Sequence, residues 1–415
     1  MKTTAKNNLS LINFNVLLLS MVIVLLLFAP RFVPVVLTGW AFFSFIHAGL
    51  NRITPKFGAV QIFLIILYLF YVVGGIWSEN KGAWAFHLEV KMTMLVVPVV
   101  FAFTRLSWKH IRWITYIFLI GLMSHFSLLF IKAVITLMQN GTTDVLFYTT
   151  LSPDIHPAYY AFYINIAIAL VLVDMFNDQL RLFPNKWMPS VLILLMAAAN
   201  IFLLSKMGIL TALFLSLMLL VYWIRRKKYW LVILVVSASL IFGFVVYKKS
   251  AYVQWRVVEM VEALSGGHSD NYIYSTSLRI AVWETARDKF MEQPIIGYGP
   301  GDVKDVLHAE YVERELRKAP ELNLNAHNQF LETGLGLGVI GLILLGLILV
   351  YPIVKYRKNH LFGAAIGLVT LLFFLSESVL ETQAGVVGGI VFLCLFNLPA
   401  TTSQRKADHK TEITS

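Results

Sequence analysis

The stretch LVILVVSASLIFGFVV, residues 231–246, decides the fold of this 415-residue chain because it contains no charged side chain. Comparable apolar runs lie at 16–28 and 62–75, and such runs recur along nearly the whole sequence. With their flanks they approach the roughly 20 residues that a helix needs to cross a bilayer. Backbone amides in hydrocarbon must be bonded within their own segment, and the alternating pattern of barrel strands is absent. The sequence therefore predicts an all-α, polytopic membrane protein.

The composition excludes a water-soluble core of this length. Hydrophobic residues make up 58% of the chain and charged residues only 14%, with a mean hydropathy of +0.73, whereas soluble domains carry about 25% charged residues. We predict a single membrane domain over residues 1–415, with about twelve spanning helices of bilayer length. The predicted spans lie near 12–29, 33–50, 58–77, 88–104, 111–138, 157–176, 188–204, 207–224, 229–247, 328–353, 361–376 and 382–398.

The charge pattern predicts the orientation of these spans. The net charge is +11, but the cations lie between apolar runs and not on an aromatic-rich soluble face, which argues against nucleic-acid binding. If Met1 is cytoplasmic, more than half of the 34 Lys and Arg residues fall in cytoplasmic loops. Both termini are therefore predicted to face the cytoplasm. The first run lacks a cleavage site, so we expect it to be retained as a helix.

One long polar segment, residues 248–326, is predicted to form a large outer loop. Within it, Leu278, Val282, Ala286 and Phe290 recur at amphipathic-helix spacing, which predicts a helix over 277–292. The turn PIIGYGPG at 294–301 ends that helix, and Asp302 is predicted to cap a second helix from 303 to about 318.

Two residues of this region are candidates for catalysis. His327 lies in NAHNQFLETG (325–334), where the loop meets the tenth span, and an imidazole there can accept a proton from a sugar hydroxyl. Arg279, in SLRIAVW (277–283), can grip phosphate oxygens with its forked guanidinium, and Arg287 is a second phosphate candidate on the same helix. The alternatives are a helix-capping histidine and solvated arginines.

Further candidates lie in the other outer turns. Lys206, in LLSKMG (203–208), stands between two spans, where an anion partner or snorkelling to headgroups would stabilise it. His156, in SPDIHPAYY (152–160), enters the sixth span and could bind phosphate or belong to an aromatic belt. Glu377 and Glu381 lie four apart and are therefore predicted to share one helical face, where they could pair with Arg279 or Lys206 or simply be solvated.

The sequence contains no pattern that predicts a metal or nucleotide cofactor. There is no H-E-x-x-H, no cysteine cluster and no phosphate-binding glycine loop. Gly334, Gly336 and Gly338 stand at the head of a membrane helix, where helix packing explains them better. The single cysteine, Cys394, lies inside the last apolar run and is expected to be a buried hydrophobe. We therefore predict chemistry without metal or cofactor.

The order of these elements resembles the O-antigen ligase and polymerase superfamily of bacterial inner membranes. The Ser205-Lys206 turn comes first, followed by a long loop with Leu278-Arg279-x-x-x-Trp283 and the PIIGYGPG turn. Ala326-His327-Asn328-x-Phe330-Leu331 then closes the loop at the next span. The resemblance covers roughly residues 150–395 in organisation. The family usually has Arg where this chain has Lys206, and often Arg near the position of His156.

The resemblance implies a fold similar to GT-C-type membrane glycosyltransferases, and transfer of a glycan from undecaprenyl diphosphate to an acceptor hydroxyl in the periplasm. The acceptor would be lipid A core, a glycan or a protein, and no metal would be needed. His327 would activate or orient the hydroxyl and Arg279 would neutralise the departing diphosphate, with Lys206, His156 and Arg287 as further diphosphate contacts. Asn328, Glu377 and Glu381 would support them. A polysaccharide polymerase and a secondary transporter or flippase remain alternatives.

Overall fold

A computed structural model describes residues 2–264, 275–356 and 361–398. This part of the chain is helical without any strand, so the predicted all-α class is confirmed. Its α-helices, in chain order, are α1 Lys2–Phe28, α2 Val33–Leu50, α3 Ala59–Gly74, α4 Lys81–Lys91, α5 Thr93–Phe103, α6 Trp108–Asn140, α7 Tyr148–Leu151, α8 Pro157–Asn177, α9 Trp187–Leu203, α10 Lys206–Arg225, α11 Tyr229–Lys249, α12 Ala251–Leu264, α13 Ser275–Glu292, α14 Val303–Glu313, α15 Lys318–Glu321, α16 Gln329–Tyr356, α17 Leu361–Phe374 and α18 Gln383–Phe396.

Seven described helical segments are long and apolar enough to cross a membrane, and five shorter apolar helices accompany them. Together they match the positions of the predicted spans, which confirms a polytopic membrane protein, while the count of twelve stays a prediction. The predicted span at 88–104 differs in detail. A turn at Met92 divides it into α4 and α5, and α4 begins seven residues before the predicted start.

Helix α8 forms the centre of the bundle. Of its most apolar stretch, 83% is buried, against 50% or less for the other six long segments. It packs against α9, α10 and α17, and its sequence is apolar on nearly every face, as expected for a helix surrounded by others. Helix α11 is the opposite case, with no buried residue, so its apolar surface faces the surroundings. Cys394 is a free thiol buried in α18, as predicted.

Helix α16 is broken at Gly338, where the PIIGYGPG turn packs against it. Gly338 has φ +64° and ψ −160°, a conformation that is essentially restricted to glycine. A Cβ at this position would lie 2.1 Å from the carbonyl oxygen of Ile295. Across the break, Val339 N donates to Pro294 O at 2.8 Å and Tyr298 N donates to Leu335 O at 2.7 Å. These contacts fix the long polar segment onto the start of α16.

The long polar segment contains more helix than predicted. The predicted helix over 277–292 is confirmed as α13, with Leu278, Val282 and Ala286 buried on one stripe. The second helix, α14, ends at Glu313, before the expected residue 318, and α12 was not predicted. Asp302 stands at the predicted N-cap position of α14, and its carbonyl oxygen accepts from Val306 N at 2.9 Å, but its side chain does not cap the helix. Its carboxylate instead accepts hydrogen bonds from Glu79 N and Asn80 N, at 2.8 and 2.7 Å, in the turn before α4.

Candidate functional site

Most of the predicted site residues meet at one end of the bundle, which we call the loop end. The N-termini of α8, α10 and α16 contribute to it, together with the turn between α17 and α18 at 375–382. Helices α12 and α13 supply side chains that contact these elements. Residues far apart in sequence, such as Arg279 and Glu377, become direct neighbours there.

A buried carboxylate joins the two predicted catalytic residues. Arg279 Nη2 lies 2.8 Å from Glu377 Oε1, and His327 Nδ1 lies 3.5 Å from the other oxygen, Oε2. Arg279 Nη1 also donates to the carbonyl oxygen of Ser376 at 3.3 Å. The Glu377 side chain is 8% exposed, whereas those of Arg279 and His327 are each 22% exposed. The guanidinium and the ring therefore remain accessible while their shared counter-ion is covered.

Glu377 is held in its ionised form. Burial by itself would raise the pKa of this carboxyl, but the Arg279 guanidinium and the His327 ring beside it lower the pKa to about 2. Glu377 therefore carries a full negative charge at neutral pH. A carboxylate facing Nδ1 favours the tautomer with the proton on that nitrogen, which leaves Nε2 as the acceptor.

The backbone around His327 is also fixed by side chains. His327 has φ +45°, a left-handed conformation, and its N–H donates to Asn325 Oδ1 at 3.0 Å. Trp283 Nε1 donates to the His327 carbonyl oxygen at 3.2 Å. Asn328 accepts from Phe330 N and Leu331 N at 2.9 and 3.2 Å, so it caps α16. These bonds explain why the chain places the ring at a helix start.

Asn328 also connects α16 to the turn that bears Glu377. Its Nδ2 donates to Leu375 O at 3.0 Å, and its backbone N–H donates to Ser378 Oγ at 3.2 Å. The next residue, Gln329, accepts from Leu380 N at 2.7 Å through Oε1. Asn328 therefore supports the position of Glu377 relative to His327.

Lys206 belongs to a second group of charges, which includes residues that the sequence analysis missed. Its Nζ lies 3.4 Å from Glu259 Oε1 and also donates to Thr276 Oγ1. Arg256 Nη1 lies 3.4 Å from Glu259 Oε2, and Thr276 N donates to Oε1 at 2.7 Å. The Arg279 charge acts on Lys206, so the two groups are electrostatic neighbours. The Arg256-x-x-Glu259 spacing is a helical pair that could have indicated α12.

Two further phosphate candidates lie in different surroundings. His156 precedes α8, where its Nδ1 accepts from Ala158 N at 3.3 Å, and its ring interacts electrostatically with Glu377, Arg279 and His327. His156 therefore lies with Arg279, Glu377 and His327 at the loop end. Arg287 is 65% exposed and bonds to the adjacent Asp288 at 2.8 Å, with no contact to that group among the described residues.

Glu381 has a different partner from those expected. Its Oε2 lies 2.7 Å from Lys91 Nζ and 3.0 Å from His87 Nδ1, whereas neither Arg279 nor Lys206 bonds to it among the described residues. Glu377 and Glu381 do not share a helical face either, since Glu377 lies in the turn before a short 3₁₀ segment at 379–381. The Lys91 side chain is 1% exposed, so this pair is a buried link between α4 and the 375–382 turn.

The loop end thus offers guanidinium and ammonium groups, an oriented imidazole and ordered carboxylates. Cations of this kind stabilise an anionic leaving group, and the imidazole can take a proton from a nucleophile. No set of three or more His, Cys, Asp or Glu side chains that could hold a metal occurs within residues 2–264, 275–356 and 361–398.

Part of this chain is similar to known proteins. Residues 191–346 match the family model described as O-antigen ligase. A protein of Rickettsia conorii named "Putative polysaccharide ligase" is 37% identical over 87 residues, and one of Rickettsia felis with that name is equally similar. An uncharacterized protein of Haemophilus influenzae is 34% identical over 86 residues. Each match covers 20% of this chain and 21% of the relative's length. The region 191–346 includes Lys206, Arg279 and His327, and this part of the chain is therefore similar to the O-antigen ligase family.

Proposed function

We propose that this protein transfers a glycan from undecaprenyl diphosphate to an acceptor hydroxyl, at the periplasmic face of the bacterial inner membrane. The observation that carries the proposal is the Arg279–Glu377–His327 arrangement at the loop end, where a covered carboxylate holds a cation and an imidazole together. The family match at 191–346 supports the same chemistry. The acceptor is lipid A core, a growing glycan or a protein.

The reaction needs one proton acceptor and one anion site. The acceptor hydroxyl oxygen attacks the anomeric carbon, and its proton passes to His327 Nε2, because Nδ1 faces Glu377. The bond between the anomeric carbon and the diphosphate oxygen breaks, and the electron pair leaves with the lipid diphosphate. Arg279 neutralises that developing charge, assisted by Lys206 and His156. Arg287 is left out of this scheme because of its exposure and its local pairing with Asp288.

The position of the charges favours a transferase over a secondary transporter. Transporters place ionisable groups, often beside broken helices, around a binding site near the bilayer midplane. Helix α16 is broken at Gly338, but the PIIGYGPG turn packs against that break. Here Lys91, the most buried cation found in the described ranges, pairs with Glu381 in the 375–382 turn of the loop end. A polysaccharide polymerase would use the same cations and imidazole, and it differs from a ligase only in the acceptor.

A transfer assay with two matched controls tests the proposal. Purified protein is incubated with an undecaprenyl-diphosphate glycan and candidate acceptors, and the product is separated by mass. His327→Ala is compared with His308→Ala, an exposed histidine on α14, and Arg279→Ala with Arg287→Ala on the same helix. We expect about 10² to 10⁴-fold slower transfer for His327→Ala, a similar loss for Arg279→Ala, and little change for the controls. Full activity in a correctly folded His327→Ala or Arg279→Ala protein would remove that residue from the mechanism.

The proposed mechanism needs no metal, which a chelator can test. His327 accepts the proton of the nucleophile, and the charges of Arg279 and Lys206 stabilise the diphosphate, which is the role that a divalent cation would otherwise have. We therefore expect EDTA to leave the transfer rate unchanged. Inhibition that added Mg²⁺ reverses would show that a metal takes part.

A further inference from the structure

A cavity of about 630 Å³ lies at the other end of α13, between the turn that precedes α4 and the start of α14. Its lining combines aromatic rings, carboxylates and amides, and contains no lysine, arginine or histidine. The residues used below are Trp77, Glu79, Asn80, Gln293, Tyr298 and Asp305. This volume and this combination of lining side chains are typical of a preformed small-molecule site.

The cavity is separate from the Arg279–Glu377–His327 site. Arg279 stands near the start of α13 and Gln293 follows its last residue, Glu292. Thirteen helical residues at 1.5 Å each give about 20 Å along the helix between Arg279 and Glu292. A ligand in the cavity therefore cannot be the reacting sugar, but a more distant part of the same glycan could reach it.

The lining selects the chemistry of the ligand. Without a cation, the cavity would repel a phosphate or carboxylate, and no three-ligand metal set occurs within the described ranges. Glu79 is exposed, and its carboxylate has neither an ion pair nor a hydrogen bond with any described residue. Gln293 is likewise exposed without a side-chain bond among those residues. Free acceptors and an amide beside flat rings suit a sugar, which presents hydroxyl donors and an apolar face.

The wall of the cavity is fixed before any ligand arrives. The Asp302 carboxylate holds the backbone N–H groups of Glu79 and Asn80, and Asn80 Nδ2 donates to Asp305 Oδ2 at 2.8 Å. Gly301 N donates to Ser78 Oγ at 3.1 Å, which fastens the two segments together. A preformed wall lowers the entropic cost of binding a polar ligand.

We infer that this cavity binds a saccharide unit of the glycan substrate, several sugars away from the bond that is formed. The inference rests on the proposed glycan transfer for its biological meaning, but the binding itself does not require turnover. Hydroxyl groups of the sugar donate to Glu79 and Asp305, Gln293 contributes its amide, and Trp77 or Tyr298 covers a ring face. The cavity then selects glycans by length and by sugar identity, apart from the reacting residues.

The test separates binding from transfer. The full-length protein in detergent micelles is applied to an array of bacterial surface oligosaccharides of increasing length, and the affinity of the best binder is measured by thermophoresis. The variants are Glu79→Gln with Gln293→Ala, His327→Ala, and the control Glu313→Gln, whose carboxylate is exposed at the end of α14. Loss of a charged and a neutral hydrogen bond predicts at least about tenfold weaker binding for the double variant. His327→Ala and Glu313→Gln should bind like the wild type.

The transfer assay supplies the second readout. With long glycans the double variant should show a KM raised about tenfold and an unchanged kcat, and with the shortest substrate it should match the wild type. The inference is overturned if no oligosaccharide binds the wild type more tightly than the double variant, or if a lysine-rich peptide competes for the cavity and sugars do not. Glycan binding without any transfer would instead count against the proposed function alone.

Discussion

Glu377→Gln should destabilise the protein by about 3 kcal/mol at neutral pH. In the folded protein, Arg279 and His327 lower the pKa of the Glu377 carboxyl from 4.5 to about 2, and each pH unit corresponds to about 1.4 kcal/mol. This agrees with the roughly 3–5 kcal/mol lost when one partner of a buried ion pair is removed. The neutral amide keeps the size of the side chain but leaves Arg279 without its counter-ion.

The same numbers give the pH dependence. Because the pKa of Glu377 is lower in the folded state, the ionised carboxylate contributes its full stabilisation above about pH 4.5. This stabilisation is lost as the pH falls toward 2. The difference in unfolding free energy between the wild type and Glu377→Gln should therefore shrink below about pH 4.5.

Unfolding in mixed SDS and dodecyl maltoside micelles, followed by circular dichroism, measures this difference. Glu284→Gln is the matched control, because Glu284 is an exposed residue of α13 without an ion pair to the described part of the chain. It should change the unfolding free energy by less than about 0.5 kcal/mol. A Glu377→Gln protein as stable as this control at pH 7, or a difference that is unchanged at pH 3, would refute the electrostatic argument.

Three other substitutions test residues that hold the site in place. The measurement is the melting temperature of each variant in detergent. Lys91→Met should cost about 3–5 kcal/mol by leaving Glu381 without its ammonium partner, and Lys91→Met with Glu381→Gln should cost clearly less; equal losses would contradict the pairing. Gly338→Ala should cost more than about 2 kcal/mol, since the new Cβ meets Ile295 O at a φ that alanine disfavours; a neutral result would mean that α16 has no such break. Asn328→Ala and Asn328→Ser both lose the Nδ2 bond to Leu375 O, but Ser keeps a capping oxygen, so Asn328→Ser should be about 1 kcal/mol more stable than Asn328→Ala, and equal stabilities would contradict the capping role.

The sequence predicts the helices well because length and hydrophobicity alone determine which segments can span a bilayer. The runs at 231–246 and 16–28 fall within helices of the structure, and the run at 62–75 does so up to its last residue. Patterns with local geometry were also predictable, as in α13 with its stripe of Leu278, Val282 and Ala286. The end of α14 was not, because it depends on contacts between segments and not on periodicity, whereas α12 was missed although the Arg256-x-x-Glu259 spacing indicates a helix.

The partners of charged residues were much harder to predict. Glu377 does bond to Arg279, but Glu381, only four residues later, bonds to Lys91. A 3₁₀ segment and a turn replace the expected helix, so the two carboxylates point to different neighbours. Asp302 shows the same effect, since it has the sequence position of a cap but binds the turn before α4. When two bonded residues lie more than 200 positions apart, no local pattern in a single sequence indicates that they pair.

In the proposed mechanism, the Glu377 carboxylate would serve two tasks that glycan transfer requires. A guanidinium that stabilises a diphosphate leaving group must already be positioned when the substrate binds. Without a counter-ion its side chain would extend into solvent, and this preorganisation would be lost. An imidazole that removes a proton must present one defined nitrogen. Glu377 does both, because its two oxygens face Arg279 Nη2 and His327 Nδ1. Its depressed pKa keeps it charged throughout the physiological range. In the proposed mechanism, the proton taken from the acceptor would therefore remain on His327 while Arg279 neutralises the leaving group, and the two charges would develop on opposite sides of one fixed anion.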